Sequence, residues 1–294
     1  MKKILFASTA LALTAGAAAA ETSIAGYGRF GVVYDESRDA AGLDETYIEQ
    51  RFQLTFTGTT TADNGLVFGG KMRIRSQESG DVTLDSTANA AQMFIKTGGL
   101  TLQVGNVDWA FDNMPGASFN TTIGLQNFEG PAGISAYSSR GSSNTGVAVL
   151  YSMAGFTGHI SYDVNTDDVD GYVSYETGGY TFALGLSDYD DALGAPEWIL
   201  TAGGTVGMFD FSAGYTGYDD YGFWSVYGGT DVGAATKVRG FLGYDDDAEE
   251  WAYGADVAHD LGGGAALKAG VFDKYSRSLG DRYTEADLGV TFSF

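Results

Sequence analysis

The chain has 294 residues, of which 44 are Gly, 3 are Pro and none is Cys. The lack of Cys excludes disulfide scaffolds, thiol nucleophiles and Cys-based metal centres. Acidic residues outnumber basic ones 38 to 16, a formal charge of −22, which excludes whole-chain attraction to nucleic acid or to an anionic membrane surface.

Residues 1–20 read as an export signal. Lys2 and Lys3 form a positive start, Ile4 to about Ala15 is apolar, and Ala18-Ala19-Ala20 offers small residues for cleavage before Glu21. Beyond residue 20 no apolar run approaches the ~20 residues of a spanning helix. A membrane protein without spanning helices must cross as a closed β-barrel, because lipid cannot satisfy an open strand edge.

From there the pattern has a period of two. Near residue 47, Phe52, Leu54 and Phe56 alternate with Arg51, Gln53, Thr55 and Thr57. Near 66, Phe68, Met72 and Ile74 alternate with Lys71, Arg73 and Arg75. Leu100, Leu102 and Val104 follow, then Phe156, Ile160 and Tyr162, then Tyr180, Phe182, Leu184 and Leu186, each interleaved with small or polar residues. Trp198, Leu200 and Ala202, and Phe209, Phe211, Ala213 and Tyr215, continue the pattern. Trp251, Tyr253, Ala255 and Val257 precede the closing run Ala286, Leu288, Val290, Phe292 and Phe294. In all, the alternation predicts an all-β chain of sixteen strands, with roughly seventeen residues for each strand and its connection.

The connections alternate too. Ala62-Asp63-Asn64-Gly65, Gly98-Gly99, Ala154-Gly155, Gly178-Gly179, Gly207-Met208, Gly233-Ala234 and Gly262-Gly263-Gly264 are tight-turn sequences. The others are mostly longer and acidic, at 35–46, 79–89, 107–140, 188–195, 245–249 and 275–281, with short ones at 165–168 and 219–220. Short turns on one rim and loops on the other are the layout of an outer-membrane barrel. Trp198, Trp224 and Trp251 near the looped ends, and Phe156, Tyr180 and Phe209 after tight turns, predict two aromatic girdles.

Parity assigns the charges. With Phe30, Phe52, Phe68, Met72 and Ile74 toward lipid, Arg29, Arg51, Lys71, Arg73 and Arg75 all point into the lumen and form one basic wall. A Lys or Arg on the lipid face at the midplane costs about 2–4 kcal/mol. The longest loop, 107–140, carries Asp108, Asp112 and Glu129 with Trp109, Phe111, Phe119, Phe128, Pro115 and Pro131. Folded inward on its aromatics, it would oppose its carboxylates to the basic wall and set a field across a narrow aqueous gap.

The signal segment, the opening strand Ser23-Ile24-Ala25-Gly26-Tyr27-Gly28-Arg29-Phe30-Gly31, the segment Gly99-Leu100-Thr101-Leu102-Gln103-Val104-Gly105 before a long third loop, and the ending Ala286-Asp287-Leu288-Gly289-Val290-Thr291-Phe292-Ser293-Phe294 together resemble the general porin family of Gram-negative bacteria, its alphaproteobacterial branch in particular. The resemblance covers residues 21–294. It implies an antiparallel sixteen-stranded transmembrane β-barrel, closed by its first and last strands and narrowed by an inward third loop. It implies a homotrimer in the outer membrane beside lipopolysaccharide, passing ions and small hydrophilic solutes, with Phe294 as an assembly signal. Calcium bridging acidic loops to lipopolysaccharide is a further family feature, and Asp219-Asp220, Asp245-Asp246-Asp247 and Glu249-Glu250 are the runs that would serve, although none has EF-hand spacing.

Three other readings fit less well. A barrel enzyme needs a base beside a nucleophile; the two histidines, His159 with lumen parity and His259 with lipid parity, accompany no catalytic motif. A substrate-specific sugar or anion channel of the same fold would use lumen aromatics such as Tyr27, Tyr172 and Tyr227, which form no evident track in the sequence. A calcium-binding β-solenoid would need a sustained short repeat, which is missing.

Overall fold

The computed structural model describes residues 20–79, 82–117, 124–125, 145–188, 197–218, 221–276 and 278–294. The proposed export signal, apart from Ala20, lies outside them. Among the described residues no helix is long and apolar enough to cross a membrane.

The chain is nearly all strand. It runs through β1 (Glu21–Asp35), β2 (Thr46–Thr61), β3 (Val67–Ser79), β4 (Val82–Ala88), β5 (Gln92–Thr97), β6 (Leu100–Gly105), β7 (Gly146–Met153), β8 (Phe156–Asp163) and β9 (Val169–Thr177). It continues through β10 (Tyr180–Ser187), β11 (Trp198–Val206), β12 (Phe209–Gly217), β13 (Gly222–Asp231), β14 (Thr236–Asp245), β15 (Glu250–Gly262), β16 (Ala265–Ser276) and β17 (Asp281–Ser293). Every pairing is antiparallel, mostly between chain neighbours, and β1 pairs with β17 from Tyr27↔Ser293 to Asp35↔Glu285, which closes the sheet. Closure leaves no edge to satisfy in lipid.

Seventeen segments make sixteen staves. Both β4 and β5 pair with β3, β4 at its upper end and β5 at its lower end, so they are two pieces of one strand interrupted at residues 89–91. The segment 79–89, expected as a loop, is therefore mostly strand: β3 runs to Ser79 and β4 starts at Val82. The Asx- and Ser/Thr-rich sequence Asp81-Val82-Thr83-Leu84-Asp85-Ser86-Thr87 masks the alternation, while backbone pairing to β3 decides the conformation. The connection after β1 is also partly regular, a 3-10 turn at Glu36–Ala41 capped by Asp35, whose Oδ1 accepts from Ser37 N at 3.0 Å.

The tight turns close where glycine permits them. Gly178 and Gly179 both have positive φ, 58° and 82°, the backbone of a two-residue hairpin loop that matches the twist of its strands. The side-chain pattern inverts that of a soluble domain. Phe30 is 53% exposed and Leu200 52%, whereas their polar neighbours point inward, where Arg29 is 3% exposed and Thr201 4%. The apolar face is the outside.

Candidate functional site

The interior is lined by the polar face of each strand and by the described part of the third loop, Val107–Ala117 with Gly124 and Leu125. The loop is rooted beside β6. Asp108 N donates to Gln103 Oε1 at 2.9 Å, and Lys71 Nζ on β3 meets Asp108 Oδ1 and Oδ2 at 3.0 and 2.9 Å. The loop then follows the inner wall. Ala110 N donates to Ser161 Oγ on β8 at 2.8 Å, and Phe111 N to Asp170 Oδ2 on β9 at 2.7 Å. Ser161 and Asp170 also bond to one another. Thr201 Oγ1 on β11 donates to Pro115 O at 2.6 Å.

Apolar contacts reinforce this path. Trp109 and Val107 pack on Ala148, while Phe111, Met114 and Ala117 pack on Tyr172, Ala183 and Ile199. All are buried, although they lie in the interior of a water-lined barrel. The loop seals an apolar strip of the inner wall that would otherwise face water.

Gly124 and Leu125 dock elsewhere, on β1 and β15–β17. Gly124 N donates to Asp256 Oδ2 at 2.9 Å, and Arg29 Nη1 donates to Leu125 O at 3.3 Å. Leu125 is fully buried. Its Cδ2 methyl occupies the space a side chain would need at Gly31 and Gly289, and the Gly124 backbone sits 2.7 Å from where a Cβ of Gly270 would lie. Three lumen-facing glycines on three adjacent strands thus make a seat for this part of the loop.

Against this stands the predicted basic wall. Arg29, opposite Arg51 in the β1–β2 register, is held by Glu49, whose Oε1 accepts from Arg29 Nε at 2.8 Å. Both are almost fully buried. Arg51 Nε donates to Gln77 Oε1 at 2.8 Å, and Arg75 Nε to Gln53 Oε1 at 3.2 Å. Arg73 is buried on the same face of β3, and Lys71 bonds Asp108. The structure therefore brings Asp108 to this wall through Lys71. Asp112 lies in the 3-10 turn Phe111–Asn113 beside β9, away from β1–β3. Glu129, with Phe119, Phe128 and Pro131, lies outside the described residues. Phe294 stacks on Phe52 and Phe292 with centroids 6.0 and 6.3 Å apart, on the outer surface beside β1 and β2.

Closure extends the wall past the residues expected from sequence. Lys237 and Arg239 on β14 and Lys268 and Lys274 on β16 also point inward, and β16 is separated from β1 only by β17. Lys237 pairs with Asp210 at 3.0 Å, Arg239 with Asp256, and Lys274 with Glu285 at 3.3 Å. The alternation Lys237-Val238-Arg239 carried the signal; the distance in sequence from β1 concealed it. Of the lumen tyrosines, Tyr172 lies under the loop, while Tyr227 packs at a tilt against Phe241, centroids 4.5 Å apart, in a separate buried cluster with Phe272. His159 is buried edge-on to Tyr172, and His259 is exposed, bonded to Thr236 Oγ1 at 2.8 Å.

A closed antiparallel barrel, greasy outside and charged inside, with a long loop laid along its inner wall, defines a transmembrane channel of the β-barrel class. The family model for Gram-negative porins matches residues 7–277. A porin of Fuscovulum blasticum is 32% identical over 302 residues, covering 93% of this chain and all of the relative. Among solved structures, a form of Rh. blastica porin with two acidic residues replaced by alanine aligns with a TM-score of 0.81 at 26% identity, over 93% of this chain and all of that one. A form with a lysine and an arginine replaced by alanine aligns equally well, at 0.81 and 25%, with the same coverage. The chain belongs to the Gram-negative porin family. It is an outer-membrane general diffusion porin, and the family is one of channels for small solutes and ions rather than of enzymes.

Proposed function

We propose that passage through this porin is governed where the third loop faces the basic wall, between Arg29, Arg51, Lys71, Arg73 and Arg75 on one side and Asp108 and Asp112 of the loop on the other. The observation that carries the reading is the Lys71–Asp108 ion pair, which ties the root of the loop to the wall beside the arginines. Opposed fixed charges across a water-filled gap order dipolar solutes and oppose apolar ones, because an apolar solute must displace oriented water without replacing its interactions.

Planar-bilayer recording tests it. The native channel is expected to be ohmic, and Arg51→Ala/Arg73→Ala should move its reversal potential in a salt gradient toward cation preference. Identical conductance and reversal potential in the two proteins would count against a role for the wall. The same recordings address assembly: the homotrimer implied by the family predicts conductance steps in threes. Cleavage of the export signal after Ala20 is part of this reading, as is contact of the loop rim with lipopolysaccharide; mass spectrometry of the mature protein tests the first. Calcium finds less support. Asp245 Oδ1 accepts from Asp247 N and Ala248 N within its own turn, and Asp246 accepts from Tyr215 on β12 and from Gly222 N on β13, so these carboxylates already serve the protein's own groups, while Asp219-Asp220 lies outside the described residues. Among the described residues no three acidic or His side chains converge on a metal-sized site.

A further inference from the structure

Away from β1–β3, the inner wall holds a cavity of about 240 Å³ on β10–β14, with Pro115 and Gly116 of the third loop on one side of it. Its floor follows from register. Thr181, Gly203, Ser212 and Tyr227 stand level on the inner face of β10, β11, β12 and β13. In the next row Asp210, Gly229 and Arg239 stand level on β12, β13 and β14. A glycine in each row leaves open the space that a side chain would fill. At Gly229 a Cβ would come within 3.0 Å of Arg239 Cγ and 3.1 Å of Asp210 Oδ2, so the charged side chains lean over bare backbone. The loop is fixed beside them: Thr201 Oγ1 donates to Pro115 O, and a Cβ at Gly116 would lie only 3.0 Å from Ser212 Oγ. Thr181, Asp210 and Lys237 each come directly after a tight turn, near the start of β10, β12 and β14, so the cavity lies on the tight-turn side of the loop.

The polar groups around it are of two kinds. The ionic ones satisfy one another: Lys237 Nζ meets Asp210 Oδ2 at 3.0 Å, and Arg239 holds Asp256 through Nε and Nη2. Two charges of each sign leave no net attraction for an ion. The hydroxyls are the reverse. Thr181 and Ser212 are half-buried, and among the described residues neither side chain makes a hydrogen bond. A hydroxyl both donates and accepts, so a solute rich in hydroxyls can bond these two and add to the open edge of the Asp210–Lys237 pair without separating it. A zwitterion would have to break that pair to place its own charges.

We propose that this cavity is a resting site for one ring of a neutral polyhydroxylated solute, a monosaccharide. Being smaller than the roughly 300–1,000 Å³ of drug-sized pockets, it takes a single ring rather than a chain. The ring lies against the glycine floor, where its hydroxyls reach Thr181, Ser212 and Asp210, and Pro115 and Gly116 limit its movement toward the looped rim. The site rests on the porin reading and adds a solute class to it: a sugar that has passed the loop pauses here before the tight-turn mouth.

The experiment is titration of single channels in KCl with D-glucose, and in parallel with glycine as a zwitterion, reading the current reduction that remains after scaling to the conductivity of each bulk solution. In the native protein glucose should give a saturable reduction and glycine none. Thr181→Val/Ser212→Ala keeps every charge and the size of the cavity. It should raise the half-saturating glucose concentration by about twentyfold, roughly fivefold for each lost hydrogen bond. Ser212→Ala alone, a lesser change should the double variant fold poorly, should raise it about fivefold. Open channels without saturation by glucose, midpoints equal to native in both variants, or saturation by glycine in place of glucose each overturn the sugar site and leave the porin reading standing. Folded protein that forms no channels overturns both.

Discussion

Arg29 shows how the interior of this barrel is governed by pairing rather than by solvation. It and Glu49 are close to fully buried and bonded to each other, and Arg29 also reaches the carbonyl of Leu125. Removing one member of such a pair leaves the other charge buried and unmatched, at about 3–5 kcal/mol, while removing both is far milder. Arg29→Gln should therefore lower the urea midpoint for unfolding of the reconstituted barrel substantially, and Arg29→Gln/Glu49→Gln should restore most of it. Equal losses in the single and double variants would show that the pair is not coupled. The parity that put Arg29 in the lumen is legible in the residues around it, because Phe30 beside it must face lipid. That Glu49, rather than a loop carboxylate, answers Arg29 is not legible, since it depends on the β1–β2 register.

The third loop lies along the inner wall, and its fastening is uneven. Its first part is held by side chains of β8, β9 and β11: Ser161, Asp170 and Thr201. Loss of a buried acceptor strands a backbone N–H at about 1–3 kcal/mol, or roughly 5- to 150-fold in the balance between seated and released loop. Asp170→Ala should thus increase protease cleavage between Trp109 and Ala117 and raise open-channel current noise. Cleavage rates unchanged from native would place the main anchor in the aromatic packing of Trp109 and Phe111 instead. The sequence pointed to those two aromatics through their presence in a long polar loop. It did not point to Asp170 or Ser161, which read as ordinary inward strand positions, nor to β4, whose turn-forming residues hide a strand that only its partner makes regular.

At the scale of the whole molecule, the inverted pattern makes a prediction about depth and side. Leu184, on the lipid face, is 43% exposed, and its neighbour Ala183 points inward. Leu184→Arg should cost about 2–4 kcal/mol in a bilayer folding titration near the midplane. Lys268→Gln, which changes a charge on the lumen face, should alter ion preference with a much smaller effect on folding. The reverse ranking would contradict the assignment of faces. Strand number, turn rim and face were all readable from periodicity, since each follows from local backbone geometry and the solvent on either side. The continuity of the basic wall from β3 round to β14 was not, because it is created by pairing residues more than 250 positions apart, as in Phe30↔Val290.

The glycine seat makes the docking of Gly124 and Leu125 conditional on that long-range pairing. Gly31 belongs to the first strand and Gly289 to the last, and the pocket for the Leu125 methyl exists only between them. Until the two ends of the polypeptide meet, this part of the loop has nowhere to lodge. Wall completion must therefore come before the lodging of Gly124 and Leu125, so an unfinished cylinder cannot hold that stretch of the loop in place.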